Sequence, residues 1–448
     1  MFQSLTSLLA DNPAQLYTGM AVSDIDGDGF DECIVAAFGG RNLVLKWGGD
    51  AFFDVAIPPL SDDHSPCMGV ATADADGDGR EEIYIGNGES ATDRLLAWRH
   101  GQWTDLLLGL RQPGQSSQSI LSYDRFGMGR YGFLVAHEGG PFRYYEIFSN
   151  DRVEDLAPVL GLARIAGGRS LVAGRILDDG LQIYAGNEGI ANMLFVANDR
   201  GQFEERAALH GLADSIGMAR GVALLDANFD GQMDVVCVNR VGQHRLFVQG
   251  SQHTFIDSTP ESWSEPSNAR SIVVADFDND GFEEIFVQNH GEPNRLFAWR
   301  DNDWRRIDCG AALEPDGFGV GAVVADFNGD GMLELLLGHG ETFPQPLSLF
   351  GSVKNDNHWL RVCPRTGAGA PARGAIVTLL CWGGREQIRL IDCGSGYLCQ
   401  SEAVAHFGLG LETTVKQVTV KWMDGTILTI ENPAVNQVHR IAYPNQER

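Results

Sequence analysis

Five copies of one acidic pattern, D-x-[DN]-x-D-G-x-x-[DE], constrain the fold of this chain more than any other feature. They read DIDGDGFDE from Asp24, DADGDGREE from Asp74, DANFDGQMD from Asp226, DFDNDGFEE from Asp276 and DFNGDGMLE from Asp326. Within each group the first residues lie 50 apart, and the 152 residues from Asp74 to Asp226 leave room for two more units. Those units lie around Asp124 (YDRFGMGRYGFLVAHEG) and Arg175 (AGRILDDGLQIYAGNEG), with the framework kept and the acids lost. Seven copies at one period mark a supersecondary unit that buries its apolar face only against its neighbours.

Each unit reads as four short strands. In the second they are MGVATA, EEIYIGN, RLLAWRHG and WTDLLL, apolar runs bounded by Gly, Asn and Asp. Four strands per unit of about 50 residues predict an all-β chain built as a seven-bladed β-propeller. The seventh unit supplies three strands at 320–350, after which the period stops. Phe2 precedes Asp24 by 22 residues, as Phe52 precedes Asp74. Residues near Phe2–Thr6 are therefore expected to complete the last blade and close the ring, which removes exposed sheet edges. The expected division is a propeller over 1–351 and a small β-domain over 352–448.

Acids at positions 1, 3 and 5, glycine at 6 and an acid at 9 place several hard oxygen ligands around one tight turn, the chemistry of Ca²⁺. An EF-hand needs its last ligand at position 12, where Val35, Ile85, Cys237, Val287 and Leu337 stand. Five Ca²⁺ sites are expected. Their side-chain ligands are Asp24, Asp26, Asp28 and Glu32; Asp74, Asp76, Asp78 and Glu82; Asp226, Asn228, Asp230 and Asp234; Asp276, Asp278, Asp280 and Glu284; Asp326, Asn328, Asp330 and Glu334. A structural role is expected for the ions, since the ligand sets look closed and repeat from unit to unit. These loops account for a large share of a net charge of −27, which fits bound cations and argues against nucleic acid as a partner. With 44% apolar residues a real core forms. The sequence holds no apolar run of 18, so no membrane insertion is expected.

After Gly351 come Asn357-His358-Trp359-Leu360-Arg361-Val362, Gly394-Ser395-Gly396-Tyr397, His406-Phe407-Gly408-Leu409-Gly410 and Trp422-Met423-Asp424-Gly425. With the acidic repeats, these motifs make the whole chain resemble the cartilage acidic protein family, with FG-GAP/VCBS-type repeats and an ASPIC/UnbV C-terminal domain. The resemblance implies a Ca²⁺-binding, integrin-like propeller without implying one activity, since the family includes extracellular binding proteins and bacterial proteins of natural-product pathways. Two metal loops are lost here. MFQSLTSLLADNPAQ shows no basic segment or long apolar core of an export signal, so a cytoplasmic location is expected. Cys33 and Cys237 fall at apolar strand positions as buried thiols, and Cys393 and Cys399 bridge only if the chain is exported. His358 and His406 are read as packed within turns.

Five residues before each loop stand Gly19, Gly69, Ser119, Ser170, Gly221, Ser271 and Gly321, small enough for the innermost strands to converge. One step earlier come Gln118, Arg169, Arg220 and Arg270, three arginines on adjacent blades at a channel mouth. Asn87, His137, Asn187, Asn239, Asn289 and His339 end the second strands on the same face, with Glu89, Glu138, Glu188 and Glu341 nearby. Two readings follow. In the preferred one, a monomeric module recognises a protein partner or an anionic small molecule on its top face or central channel through Arg169, Arg220, Arg270, Gln118 and the four asparagines. In the alternative, the protein is a calcium-dependent, non-redox cyclase, lyase or isomerase. His137, His339, Glu89, Glu138, Glu188 and Glu341 then move protons while the arginines hold an anion. Absence of any P-loop, nucleophile elbow or dinucleotide motif favours binding.

Overall fold

The computed structural model describes residues 1–444 apart from Glu89, Ser90, Arg111, Pro113, Asp178, Asp179 and Ser264. Seven four-stranded antiparallel sheets form a closed ring. Blade one comprises Tyr17–Ser23, Glu32–Ala37, Leu43–Trp47 and Phe52–Asp54, and the next five repeat this order. Blade seven takes Gly319–Ala325, Glu334–His339 and Ser348–Ser352 from one end of the chain and Phe2–Ser4 from the other, with Phe2 opposite Ser352 and Ser4 opposite Phe350. Phe2 then packs edge-on against Phe277 at 4.8 Å between ring centroids, in the core shared by blades six and seven. Burial of one such ring is worth ~2–3 kcal/mol.

Burial explains the strand sequences. The first two strands of each blade lie between neighbouring blades, so Tyr17–Ser23 and Glu32–Ala37 are buried along their whole length and read as continuous runs. The fourth strands face water, so Phe255–Asp257 buries only Phe255.

Every first strand carries a register shift at one place: between Tyr17 and Met20, Cys67 and Val70, Ser117 and Ile120, Gly168 and Ser170, Ala219 and Gly221, Ala269 and Ser271, and Gly319 and Ala322. A bulge re-aims the side chain within it. Arg169, Arg220 and Arg270 each sit in one, turned toward the channel mouth.

The C-terminal residues form two sheets. His358–Pro364 pairs antiparallel with Ala405–Gly410 and parallel with Val438–Ile441. Glu386–Leu390, Ile376–Leu380, Gln417–Lys421 and Ile427–Glu431 make the second. Their shared core contains Leu360, Val377, Phe407 and Trp422. Both sheets sit against the face of the ring that carries the acidic loops.

Candidate functional site

Each acidic loop divides its oxygens between two tasks. In blade one, Asp24 accepts the N–H groups of Gly27 and Gly29 at 2.8 and 2.9 Å, while Glu32 Oε2 accepts that of Ile25 at 3.0 Å. These bonds fix the turn, in which Gly29 has φ +92°. Asp26 Oδ2, Asp28 Oδ2 and Glu32 Oε1 are left over and converge on one point, occupied by Lys46 Nζ at 2.5, 2.7 and 2.8 Å. Blade six repeats this around Arg300, which meets Asp278, Asp280 and Glu284 at 2.6, 2.9 and 3.1 Å. In blade two Arg99 pairs with Asp76 and lies 3.6 Å from Glu82. Potential ligand atoms of Asp24, Asp26 and Glu32, of Asp74, Asp76 and Asp78, and of Asp276, Asp278 and Glu284 lie within 4.8 Å of one another. Oxygens converging on a point held by a cation, at distances near the 2.3–2.6 Å of Ca²⁺ coordination, fit such an ion.

Blades five and seven draw on amides instead. Asn228 Nδ2 donates to Asp230 at 3.0 Å, and Asn328 Nδ2 to Glu334 at 2.7 Å. Asp234 gives both oxygens to backbone N–H groups, of Ala227 and Gln249. Burial pushes the position-nine acids up: Glu32 and Asp234 to about 7, Glu82 to about 8 and Glu334 to about 9.

The other two loops are built differently. Asp124 accepts the N–H groups of Phe126 and Gly129 at 3.2 and 2.6 Å, with Arg125 turned away to Glu146. Where the five acidic loops carry their last acid, blade four has Gln182, whose Oε1 accepts the N–H groups of Ile176 and Leu177 at 2.9 Å.

Along the strands toward their opposite end, the central channel named as a candidate binding place is filled by the chain itself. Residues 393–402, between the two C-terminal sheets, run into it and touch all seven blades. Gln400 exchanges backbone bonds with Met20 and Val22 of blade one, and Val70 of blade two donates to the Leu398 carbonyl. Ser122 donates to Cys393 in blade three, and Ser170 to Gly396 in blade four. Gly396 pairs with Val222, Tyr397 N–H reaches Ser271 Oγ, and Glu402 N–H reaches the Val324 carbonyl. The small residues make room for this insert. A Cβ on Gly19 would stand 2.5 Å from the Leu398 carbonyl oxygen, and one on Gly321 2.9 Å from Cys399 Sγ.

Tyr397 is the tip. Arg220 donates to its hydroxyl at 3.0 Å, the hydroxyl donates to Gln118 at 3.2 Å, and the Arg220 guanidinium lies 5.3 Å from its ring. The three arginines are therefore compensated from within. Glu188 takes Arg169, Arg220 and Arg240 at 2.9, 3.0 and 2.9 Å, Glu138 takes Arg169 at 2.7 Å, and Glu341 takes Arg270 at 2.6 Å. Against the cost of burial, the Arg270 bond holds Glu341 below its usual range.

The remaining residues of this face serve their own blades. Asn87, Asn187, Asn239 and Asn289 each donate Nδ2 to a carbonyl of the following turn: Thr92, Ala191, Gln243 and Pro293. His137 is buried in blade three, and burial pushes it down to about 4. His339, in blade seven, lies between the Pro346 carbonyl at 2.9 Å and Glu314 at 3.1 Å. The two histidines are on different blades; His339 has both ring nitrogens engaged, whereas the buried His137 Nδ1 has no hydrogen-bond partner among the described residues. Glu89 lies outside the described residues. His406 is buried, with Nε2 2.6 Å from Asn279 Oδ1, and His358 meets Asn436 at 2.9 Å. Cys393 and Cys399 are separate buried thiols, as are the other six cysteines.

Lys46, Arg99 and Arg300 were not expected as members of the loops. Their signal was available in LVLKW, RLLAWR and RLFAWR, third strands that carry a cation at or next to their last residue, beside the acid-bearing second strand. The insert gave no such signal, because it occurs once.

A ring of acidic-loop blades capped by two further sheets defines a class, and comparison with known proteins agrees. FG-GAP-like repeat models match residues 24–85, 226–287 and 276–337, and the ASPIC and UnbV model matches 365–448. The crystal structure of BBS1N in complex with ARL6DN, soaked with lead, shares the fold at 10% identity and a TM-score of 0.50. That match covers 79% of this chain and 98% of that one. Cartilage acidic protein 1 from Xenopus tropicalis is 39% identical over 97% of this chain and 75% of its own length; the Homo sapiens protein is also 39% identical, over 97% and 73%. The chain belongs to the cartilage acidic protein family.

The expected cytoplasmic location is thereby overturned, since relatives that match nearly the whole chain are named for cartilage, a tissue of extracellular matrix. An FG-GAP-type propeller points to a role in protein interaction, and nothing in these relatives supports the cyclase, lyase or isomerase alternative.

Proposed function

We propose that this protein is a calcium-stabilised β-propeller that recognises a protein partner on the rim of its upper face, with residues 1–351 as the recognition module and 352–448 as its cap. The filled channel carries this reading. With Tyr397 closing the mouth, the face offers a surface rather than a pore for an anionic small molecule. Arg240, Val241, Glu292 and Glu341 border a shallow groove on it, a mixed-charge border suited to a protein surface. Calcium would be held in all five acidic loops by the twenty side chains named above, with Phe30, Arg80, Gln232, Phe282 and Met332 at position seven able to add carbonyl oxygens. The bound ion supplies charge neutralisation there, and Lys46, Arg99 and Arg300 swing aside.

Titration of chelator-stripped protein with CaCl₂ by calorimetry should give five ions per chain. For the partner, calcium-loaded wild type and an Arg240→Glu, Glu292→Lys variant are compared on beads against cartilage extract. A partner retained by wild type and lost by a folded rim variant supports the reading. Equal retention of every protein by both would move the site off this rim.

A further inference from the structure

A cavity of about 400 Å³ lies between the loop of blade one and the C-terminal sheets, within the usual size range of small-molecule sites. One wall is the strand His358–Pro364 and the residue that follows it, along which Arg361, Cys363 and Arg365 alternate. Arg440 stands beside Cys363 in the parallel neighbour. Asp31, at position eight of the first acidic loop, faces them from the other wall.

Position eight carries an acid in three loops, and two are spoken for. Glu81 takes Arg373 at 2.6 Å, and Glu283 takes Arg389 at 3.2 Å. The Asp31 side chain has no hydrogen bond or ion pair among the described residues. The Arg365 guanidinium likewise has none. Arg361 is committed to Asp326 and Glu402, with its buried Nε left without a partner. Arg440 gives one donor to the Gly29 carbonyl at 2.8 Å, and the residue is exposed at the cavity entrance.

A carboxylate and a guanidinium thus line one cavity without meeting. Burial raises the Asp31 carboxyl above its usual range, against the opposing pull of Arg361. Arg361 and Arg365 are four residues apart on an extended chain, a span of ~13 Å. An anion alone would meet Asp31, and a cation alone would meet the arginines. Asp31 and Arg365 are half-buried on the two walls, and a ligand carrying both charges would pair with both. We propose that this cavity binds a small zwitterion of the amino-acid class, its ammonium group on Asp31 and its carboxylate on Arg365 and Arg440. The inference is independent of the rim and of any partner there.

The test uses the calcium-loaded full chain, with glycine, L-glutamate and L-arginine as probes and acetate and methylammonium as single-charge controls, by calorimetry and thermal shift. At least one amino acid should bind once per chain and raise Tm, with each control at least tenfold weaker. Asp31→Asn and Arg365→Gln should each weaken that binding tenfold or more while calcium content stays at the wild-type value. If acetate binds as tightly as the best amino acid, or none of the three binds wild type, the proposal is overturned. The wild-type comparison decides the matter even where a variant misfolds.

Discussion

Loops two and four of the ring do the same structural job with different chemistry. In blade two Glu82 Oε2 accepts the Ala75 N–H at 2.8 Å and turns its other oxygen toward the loop centre. In blade four Gln182 accepts the equivalent N–H of Ile176 at 2.9 Å with an uncharged group. The turn therefore needs the hydrogen bond and not the charge. Blade three reaches the same end by another route: Gly132 stands at position nine, and the Tyr144 ring fills the space, its hydroxyl bonded to the Tyr123 carbonyl. Five loops retain at position nine a carboxylate that the fold does without in the other two, as the proposed calcium sites require.

Stripping calcium should break this comparison most visibly. A loop saturated at a hundred times its Kd gains about 2.7 kcal/mol, so over five loops we expect EDTA to lower Tm by ~10 °C or more, with restoration by CaCl₂. Hydrogen exchange should rise in the five acidic loops and stay unchanged around Asp124. An unaltered melt after verified metal removal would contradict the calcium reading.

The glycines at position four separate contact from backbone strain. Gly77 and Gly127 both have positive φ, +85° and +68°. A Cβ on Gly77 would meet only Arg130 Cδ at 3.9 Å, whereas one on Gly127 would lie 2.7 Å from the Asp424 N atom of the C-terminal cap. Gly77→Ala should cost about 1 kcal/mol and Gly127→Ala about 2–3 kcal/mol, read by chemical denaturation. Equal losses would mean that the cap does not rest on blade three.

Gln182→Glu gives loop four the last acid of the five acidic loops, while Arg175 and Leu177 still stand where those loops carry acidic or amide ligands. It should destabilise by about 2 kcal/mol at pH 8 and gain nothing from calcium. Rescue by calcium would show that this loop retains a metal site. The reverse exchange, Glu82→Gln, should remove one calcium from the titration and leave the other four.

The smallest effect concerns pH. Glu32, Glu82, Asp234 and Glu334 have folded values of about 7 to 9, above the ordinary carboxylate range. In metal-free protein the folded state therefore binds more protons than the unfolded state between about pH 4.5 and 9, and stability falls as pH rises through that window. Tm of the stripped protein should decline from pH 5 to 8.5, and saturating calcium should flatten the slope. Glu82→Gln should reduce the decline. A stripped protein that gains stability on going to pH 8.5 would refute this account.

Much of the molecule was legible because it repeats. Acids at positions 1, 3, 5 and 9 recur at a fixed spacing, so five loops can be aligned without coordinates. The distance from Phe2 to Asp24 alone places the first strand in the last blade, as the pairing of Phe2 with Ser352 shows. The seven small residues before the loops were also visible, but only half their meaning was. They were read as allowing strands to converge, and they also admit Tyr397 and its neighbours.

What the sequence by itself determined is therefore what lies within one repeat: strand order, loop chemistry and ring closure. Only the tertiary structure decided how the channel is filled, which acids the arginines meet, and which position-eight acid is left alone. Arg373 lies 292 residues from Glu81, and Tyr397 lies 177 from Arg220. Such contacts join a segment that occurs once to a ring built of copies, and no period in the chain encodes them. They are set by shape and by the cost of leaving buried charge unpaired, and both of these arise only once the ring has closed.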